Sequence, residues 1–236
     1  MRGRARSACS AVVLLLWLLP AFAAAAPVGE VTHLSGAAMV RKADGSSKVL
    51  AAKTPVEEGD VVVTSYNAYV RLKFSDGAEV TLRPNTQLRI ARYHFEETKP
   101  QEDSLVLALL KGGLRTITGL LGKRKEQSYE LQTVTATIGI RGTGFGVLAC
   151  QGDCQDLRTV DGRVPEDGVH VDVFEGRVRV SNPKGELLVA AGDLAFVAKI
   201  DVPPVRVRRG DAVPIPMPRF DAPPPRSGLD AACLVQ

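Results

Sequence analysis

The stretch Tyr69-Val70-Arg71-Leu72-Lys73-Phe74-Ser75-Asp76-Gly77-Ala78-Glu79-Val80-Thr81-Leu82-Arg83 decides the fold class. Val70, Leu72 and Phe74 alternate with Tyr69, Arg71 and Lys73; beyond the turn, Val80 and Leu82 alternate with Glu79, Thr81 and Arg83. Successive side chains on a strand point to opposite faces, so this alternation gives each segment one face for a core and one for water. Between them, aspartate can cap its own backbone amides at Asp76, and Gly77 accepts a turn conformation at little cost. The segment is a β-hairpin.

The same texture extends in both directions. Upstream, Val28–Leu34 and Ala37–Lys42 flank Ser35-Gly36, and Ala43-Asp44-Gly45-Ser46 turns into Lys48–Ala51. Val56-Glu57-Glu58-Gly59-Asp60 leads into Val61–Thr64, with Asp60 placed where a turn wants a carboxylate. Downstream, Gln87–Tyr93 reads as a strand whose alternation slips by one at Ala91, which permits a bulge. Ser104–Leu110 has capping residues at its start, yet seven residues before Gly112-Gly113 suit a buried strand better than a helix. Leu114–Leu121 continues as strand, and Gly122–Gln127 is a charged loop.

Tyr129–Ile140 reads as one long strand, with Phe145, Val147 and Ala149 continuing beyond a glycine-rich knot. Leu157–Val160 and Val169–Phe174 follow, and Glu175-Gly176 reverses the chain into Arg177–Ser181. Asn182-Pro183-Lys184-Gly185 reverses it again into Leu187–Ala190, and Asp193–Ile200 closes the series. The expectation is an all-β fold of short strands, in which a roll or short solenoid competes with a sandwich. Two β-rich lobes, 27–95 and 104–200, are joined by the polar stretch 96–103. Eight of the 15 prolines lie between Pro203 and Pro225, so 201–236 reads as an extended, flexible tail.

The beginning of the chain sets the compartment. Arg2, Arg4 and Arg6 precede the apolar run Ala11–Leu19, followed by Pro20 and the small residues Ala23–Ala26. That is the pattern of a cleavable export signal over residues 1–26, too short in its apolar part to span a bilayer comfortably. The expected product is periplasmic or secreted, with no integral membrane segment after cleavage. The formal charge of +4 falls to about +1 without those three arginines, which argues against a nucleic-acid partner.

Export also bears on the cysteines. Cys150 and Cys154 share a short polar loop, where an oxidising compartment favours a local disulfide. Cys233 is left over: free, paired across chains, or competing for a loop cysteine.

Gly139-Ile140-Arg141-Gly142-Thr143-Gly144-Phe145-Gly146 is the densest local motif. A phosphate-binding loop would need a helix to follow, whereas the following segment alternates like a strand. The better reading is a bend or bulge at Gly142, Thr143 and Gly144. The guanidinium of Arg141 would then clamp neighbouring strands, with ligand recognition as the alternative.

His33, His94 and His170 are dispersed, and no serine sits in a nucleophile motif. Asp161, Glu166, Asp167 and Asp172 lack the spacing of a calcium loop. The expectation is a non-enzymatic chain with no cofactor and no metal. Asp60, Asp76, Gly77, Arg141, Gly142, Thr143 and Gly144 are its structural or interaction candidates.

At the hairpin and the glycine knot the chain resembles the FecR family, named for the periplasmic ferric-citrate regulator. The marks are Gly29-Glu30-Val31 with Ser35-Gly36, Glu58-Gly59-Asp60-Val61-Val62-Val63-Thr64, and Leu72-Lys73-Phe74-Ser75-Asp76-Gly77 followed by Thr81-Leu82. Leu131-Gln132-Thr133, Ile140-Arg141-Gly142-Thr143-Gly144-Phe145, Val173-Phe174-Glu175-Gly176-Arg177-Val178 and Ala191-Gly192 complete the succession. The resemblance implies an exported domain that relays a state from an outer-membrane transporter to a cytoplasmic sigma-factor-binding segment. This sequence departs from that pattern, with an export signal in place of the cytoplasmic segment and spanning helix.

The leading expectation is an exported interaction or scaffold protein of the cell envelope, working through strand edges or loops. Its implied partner is an envelope protein, with a membrane receptor or regulator among the candidates. A sensory accessory of a transporter or sigma-factor system is the first alternative. A cell-wall or polysaccharide binding module is the second, and would need an aromatic platform drawn from Tyr66, Tyr69, Tyr93, Phe95 and Tyr129.

Overall fold

The computed structural model describes residues 26–124 and 128–215. Residues 1–25, in which the export signal is expected, the tail from 216 onward and Cys233 lie outside the described residues.

In chain order the strands begin β1 (Pro27–Ser35), β2 (Ala38–Arg41), β3 (Ser47–Val49), β4 (Pro55–Glu57) and β5 (Val61–Thr64). They continue with β6 (Tyr69–Phe74), β7 (Glu79–Leu82), β8 (Gln87–His94), β9 (Ser104–Ile117) and β10 (Tyr129–Gln132). The last five are β11 (Thr137–Cys150), β12 (Gly168–Asn182), β13 (Gly185–Ala190), β14 (Leu194–Val197) and β15 (Val205–Arg206). A short helix α1 (Leu120–Arg124) lies between β9 and β10, and a 3-10 turn spans Arg209–Asp211.

Among the described residues, all fifteen strands pair into one sheet, which the register folds into two layers. The first layer runs β15-β14-β12-β11-β9-β7-β6-β1-β4. The second runs β13-β12-β11-β10-β9-β8-β5-β2-β3, with β10 parallel to β9. Three long strands belong to both. The first half of β9 pairs with β8 and β10, and its second half with β7 and β11. In β12 the first half pairs with β14 and the second with β13.

A strand can change layers only by turning sharply, and glycine supplies the needed conformations. Gly112 in β9, Gly142 in β11 and Gly176 in β12 have φ of 80°, 53° and 70°. A Cβ on Gly176 would lie 2.6 Å from the Gly142 carbonyl oxygen, so the β11 and β12 bends are stacked against each other.

The inward rows of both layers form one core, including Leu72, Leu82, Leu88, Ile90, Leu107, Leu114, Ile138, Phe145, Val171 and Val180. Its largest fully buried side chains are Tyr129 and Phe145. The Tyr129 hydroxyl and that of Thr116 share a 2.9 Å hydrogen bond, which keeps the phenol satisfied inside. A second apolar cluster lies on the outer face of the first layer, where Leu148, Cys150, Cys154 and Val213 meet Leu157 and Ile215.

The all-β architecture stands as expected, but several segments differ. Tyr129–Ile140 is two strands, because Thr133 turns the chain: its amide and hydroxyl both donate to the Ala136 carbonyl at 2.8 Å. Glu175-Gly176 bends β12 without reversing it, since β11 pairs with β12 from Thr137↔Ser181 through Cys150↔Gly168. Residues 120–124 are helical, because the Asp76 carbonyl and carboxylate accept the amides of Leu120 and Leu121. Leu157–Val160 forms no strand; it is held in turns by bonds such as Leu157 N to Cys154 O and Thr159 N to Arg163 O. The start of the proline-rich segment is structured, with β15 pairing to β14. Across residues 96–103, β8 and β9 pair from His94↔Ser104 onward, so strand pairing runs directly from one stretch into the other.

Candidate interaction surface

The corner collects the hairpin turn and the glycine knot. The Asp76 carboxylate accepts the Ala78 amide at 3.1 Å and the Leu121 amide at 3.2 Å. The Tyr93 hydroxyl accepts the Asp76 amide at 2.9 Å and lies 3.5 Å from its carboxylate. Burial raises the Asp76 carboxyl above its ordinary value, against the pull of these donors, and pushes the Tyr93 phenol up to about 12. Gly77, with φ 84°, closes the turn by donating to Phe74 O.

Residues 118–121 link this turn to the knot. The Thr118 hydroxyl accepts the Thr143 amide at 2.9 Å, and the Thr118 amide donates to the Thr143 carbonyl at 3.0 Å. The register shifts between Arg141 and Gly144, where the Phe174 ring lies over the bare Gly144 backbone; a Cβ there would meet it at 2.1 Å. The Arg115 guanidinium sits 3.7 Å above that ring. Arg141 pairs by backbone with Arg177; the clamp expected of its guanidinium falls outside the described side chains.

Asp60 stands apart from the corner. Its carboxylate accepts the Glu57 amide at 2.8 Å and pairs with Lys42 at 2.9 Å, while Lys42 reaches Glu57 at 2.8 Å. Burial alone would lower the Lys42 ammonium, but the Glu57 and Asp60 carboxylates outweigh it and hold it above its ordinary value. The candidates therefore divide into a convergent set, Asp76, Gly77, Gly142, Thr143 and Gly144, and a separate turn at Asp60.

Beyond Phe174 the outer face opens into a cleft. This open depression of about 430 Å³ lies between β12, β14 and residues 209–214, lined chiefly by Val173, Phe174, Leu194 and Val213, with Asp172 and Arg209 as its charged groups. Burial raises the Asp172 carboxyl, opposed by Arg115 and Arg209. Sequence reading missed this cleft because Leu194 and Val213 are 19 residues apart and meet only when the tail docks. The docking contacts are Val160 N to Ala212 O, Asp161 N to Gly210 O, and an Arg163–Asp211 ion pair.

The Cys150–Cys154 disulfide is present and lies under this docked segment. Tyr129 is core and Tyr93 is tied to Asp76, so neither joins an aromatic platform. His94, Glu96 and Glu102 place ligand atoms within 4.8 Å of one another, a grouping the sequence reading did not single out; Lys99 already pairs with Glu96 at 3.3 Å. No helix among the described residues is long and apolar enough to cross a membrane.

A bent, two-layer β domain with an apolar surface cleft is a binding architecture. The chain belongs to the FecR family: the model of the FecR protein family matches residues 60–179, from the Asp60 turn through the glycine knot to β12. Two solved structures of a protein of Parabacteroides distasonis assigned as an anti-sigma factor are similar at 17% and 16% identity. Both have a TM-score of 0.46 and cover 64% of this chain. The chain spans 60% of the length of those structures. A cell surface anchoring domain is similar at 27% identity over 26% of this chain and 82% of its own, with a TM-score of 0.26. A search of curated proteins finds no match.

Proposed function

We propose that this protein is a sensory accessory of the cell envelope, a periplasmic or secreted domain that docks a membrane receptor or regulator and modulates its signalling. The family supports an interaction or signalling role. The observation that carries the docking reading is the cleft of about 430 Å³ beside Phe174. Its volume and apolar lining, with two charges to fix orientation, are those of a recognition site. Asp76 and the glycine knot shape the frame behind it, and the cleft makes the contact.

A photo-crosslinking residue at Leu194, introduced into the exported protein in cells, tests this directly. One recurrent membrane receptor or regulator is the expected adduct, and Phe174→Arg should abolish it. Recovery of cell-wall polymer alone, or of uncrosslinked monomer only, would refute the proposal.

A scaffold working through a strand edge is the second reading. Edge strand β3 pairs with β2 on one side only, and its Val49 is 80% exposed. A crosslinker at Val49 separates the two readings by which position captures the partner.

A further inference from the structure

Arg83 is the most anomalous charge among the described residues. It follows β7 on the outer face of the first layer, alternating with the core residues Val80 and Leu82. Its backbone amide donates to Gly113 O at 2.9 Å, which sets Arg83 opposite Gly113 of β9. The stem runs over that glycine: a Cβ there would be 3.4 Å from Arg83 Cδ and 3.0 Å from Leu148 Cδ1. Arg83 is 7% exposed, and its Nε is a buried donor without an acceptor. Among the described residues its guanidinium has neither a salt bridge nor a side-chain hydrogen bond.

The nearby carboxylates are committed elsewhere. Asp153 pairs with Lys111 at 3.3 Å, Glu79 lies 4.0 Å from Arg71, and Asp172 faces Arg115 across Gly146. A buried cation that lacks a counter-charge is strongly unfavourable, since a guanidinium carries five donors and no acceptor. The protein retains one nonetheless, on a face already rich in basic groups. Thr81 pairs with Arg71 on one side and Arg115 on the other, so Arg83 sits diagonally from both. The Val70↔Leu82 register puts Tyr69 opposite Arg83.

We propose that Arg83, with Thr81 and Tyr69 around it, forms a binding site for one oxyanion, a phosphate or carboxylate group carried by an envelope ligand. The planar guanidinium matches either group with two parallel hydrogen bonds, and the threonine and tyrosine hydroxyls add donors. Burial draws the guanidinium below its ordinary value, a strain that a bound anion relieves. This site is independent of the cleft at Phe174 and stands or falls separately.

The test is thermal unfolding of the full exported chain in inorganic phosphate, in acetate and in chloride at matched ionic strength, for wild type, Arg83→Met and Arg83→Lys. Phosphate or acetate should raise the wild-type midpoint over chloride. Arg83→Met should erase the shift while unfolding in chloride at or above the wild-type midpoint; Arg83→Lys should keep part of the shift. Which anion acts identifies the group recognised. No shift with either anion overturns the proposal. So does an Arg83→Met protein that is destabilised in chloride yet shifts as wild type does, which would make Arg83 a purely structural residue.

Discussion

The corner where β9, β11 and β12 change layers and the cover formed by residues 151–167 and 207–215 are held together by opposite means. At the corner, backbone meets backbone at distances that exclude a side chain, as at Gly176 against Gly142 O. The Asp76 and Thr118 groups satisfy the amides that the turns leave over. In the cover there is room: a disulfide, an ion pair and a small apolar cluster pin two loops onto the sheet and leave cavities between them. Three of the motifs quoted above, the Asp76 turn, residues 140–145 and residues 173–178, meet at the corner, and none lies in the cover. They specify a shape, while the cleft sits between the cover and the adjoining sheet face.

The sharpest way to break this contrast is Gly176→Ala. The new Cβ would meet a backbone oxygen that cannot swing aside, at a φ of 70° that alanine resists. Left-handed strain and overpacking together should cost about 4 kcal/mol, read as a fall in the urea midpoint. A loss under 1 kcal/mol would show that the corner relaxes and is no rigid frame. Next in size, Asp76→Ala leaves the Ala78 and Leu121 amides without an acceptor. A loss of about 3 kcal/mol is expected, with circular dichroism showing the strands retained.

The cover should respond more mildly. Replacing Cys150 and Cys154 together by alanine opens a ring closed over a sequence separation of 4. So short a loop constrains the unfolded chain by about 2 kcal/mol. The urea midpoint should fall accordingly, and residues 207–215 should become more sensitive to protease while the core strands stay protected. Equal loss of protection in both regions would mean that cover and corner unfold as one unit, against the division drawn above.

What was legible in the sequence follows the same line. The hairpin at 69–83, the slip at Ala91 and the Cys150–Cys154 disulfide rest on neighbours in the chain, and each is present; the register of β8 with β9 shifts between Ile90 and Arg92. Gly176 was legible as a turn residue but not as a bend, because a positive φ serves a reversal and a layer change equally well. Only the continuous β11–β12 pairing decides between them. The helix at 120–124 depends on Asp76, about 45 residues away, and no local pattern announces it. The cleft and the isolation of Arg83 are further still from local rules, since they depend on where the tail docks and where carboxylates are missing.

His170 gives the smallest and most selective test of the cover. It lies beneath it, its ring 4.7 Å from Phe196 and its Nε2 2.9 Å from the Glu166 carbonyl, beside a cavity of about 260 Å³ that Arg163, Glu166, Arg208 and Asp211 also line. Burial lowers the imidazole below its ordinary value, against the carbonyl and charge of Glu166. The folded protein therefore favours the neutral ring, and the unfolded chain, titrating near about 6.5, takes up the proton first. Stability from this group is complete above that value and is lost as pH falls toward the folded value, with a slope of at most ~1.4 kcal/mol per pH unit. His170→Gln should remove that slope between about pH 6.5 and 5 while leaving the neutral-pH midpoint within about 1 kcal/mol of wild type. If the cover alone senses the proton, acid should expose residues 207–215 to protease in wild type and not in the variant, with the corner unchanged in both. Acid exposure that persists without His170 would show that the cover does not sense the proton through this imidazole.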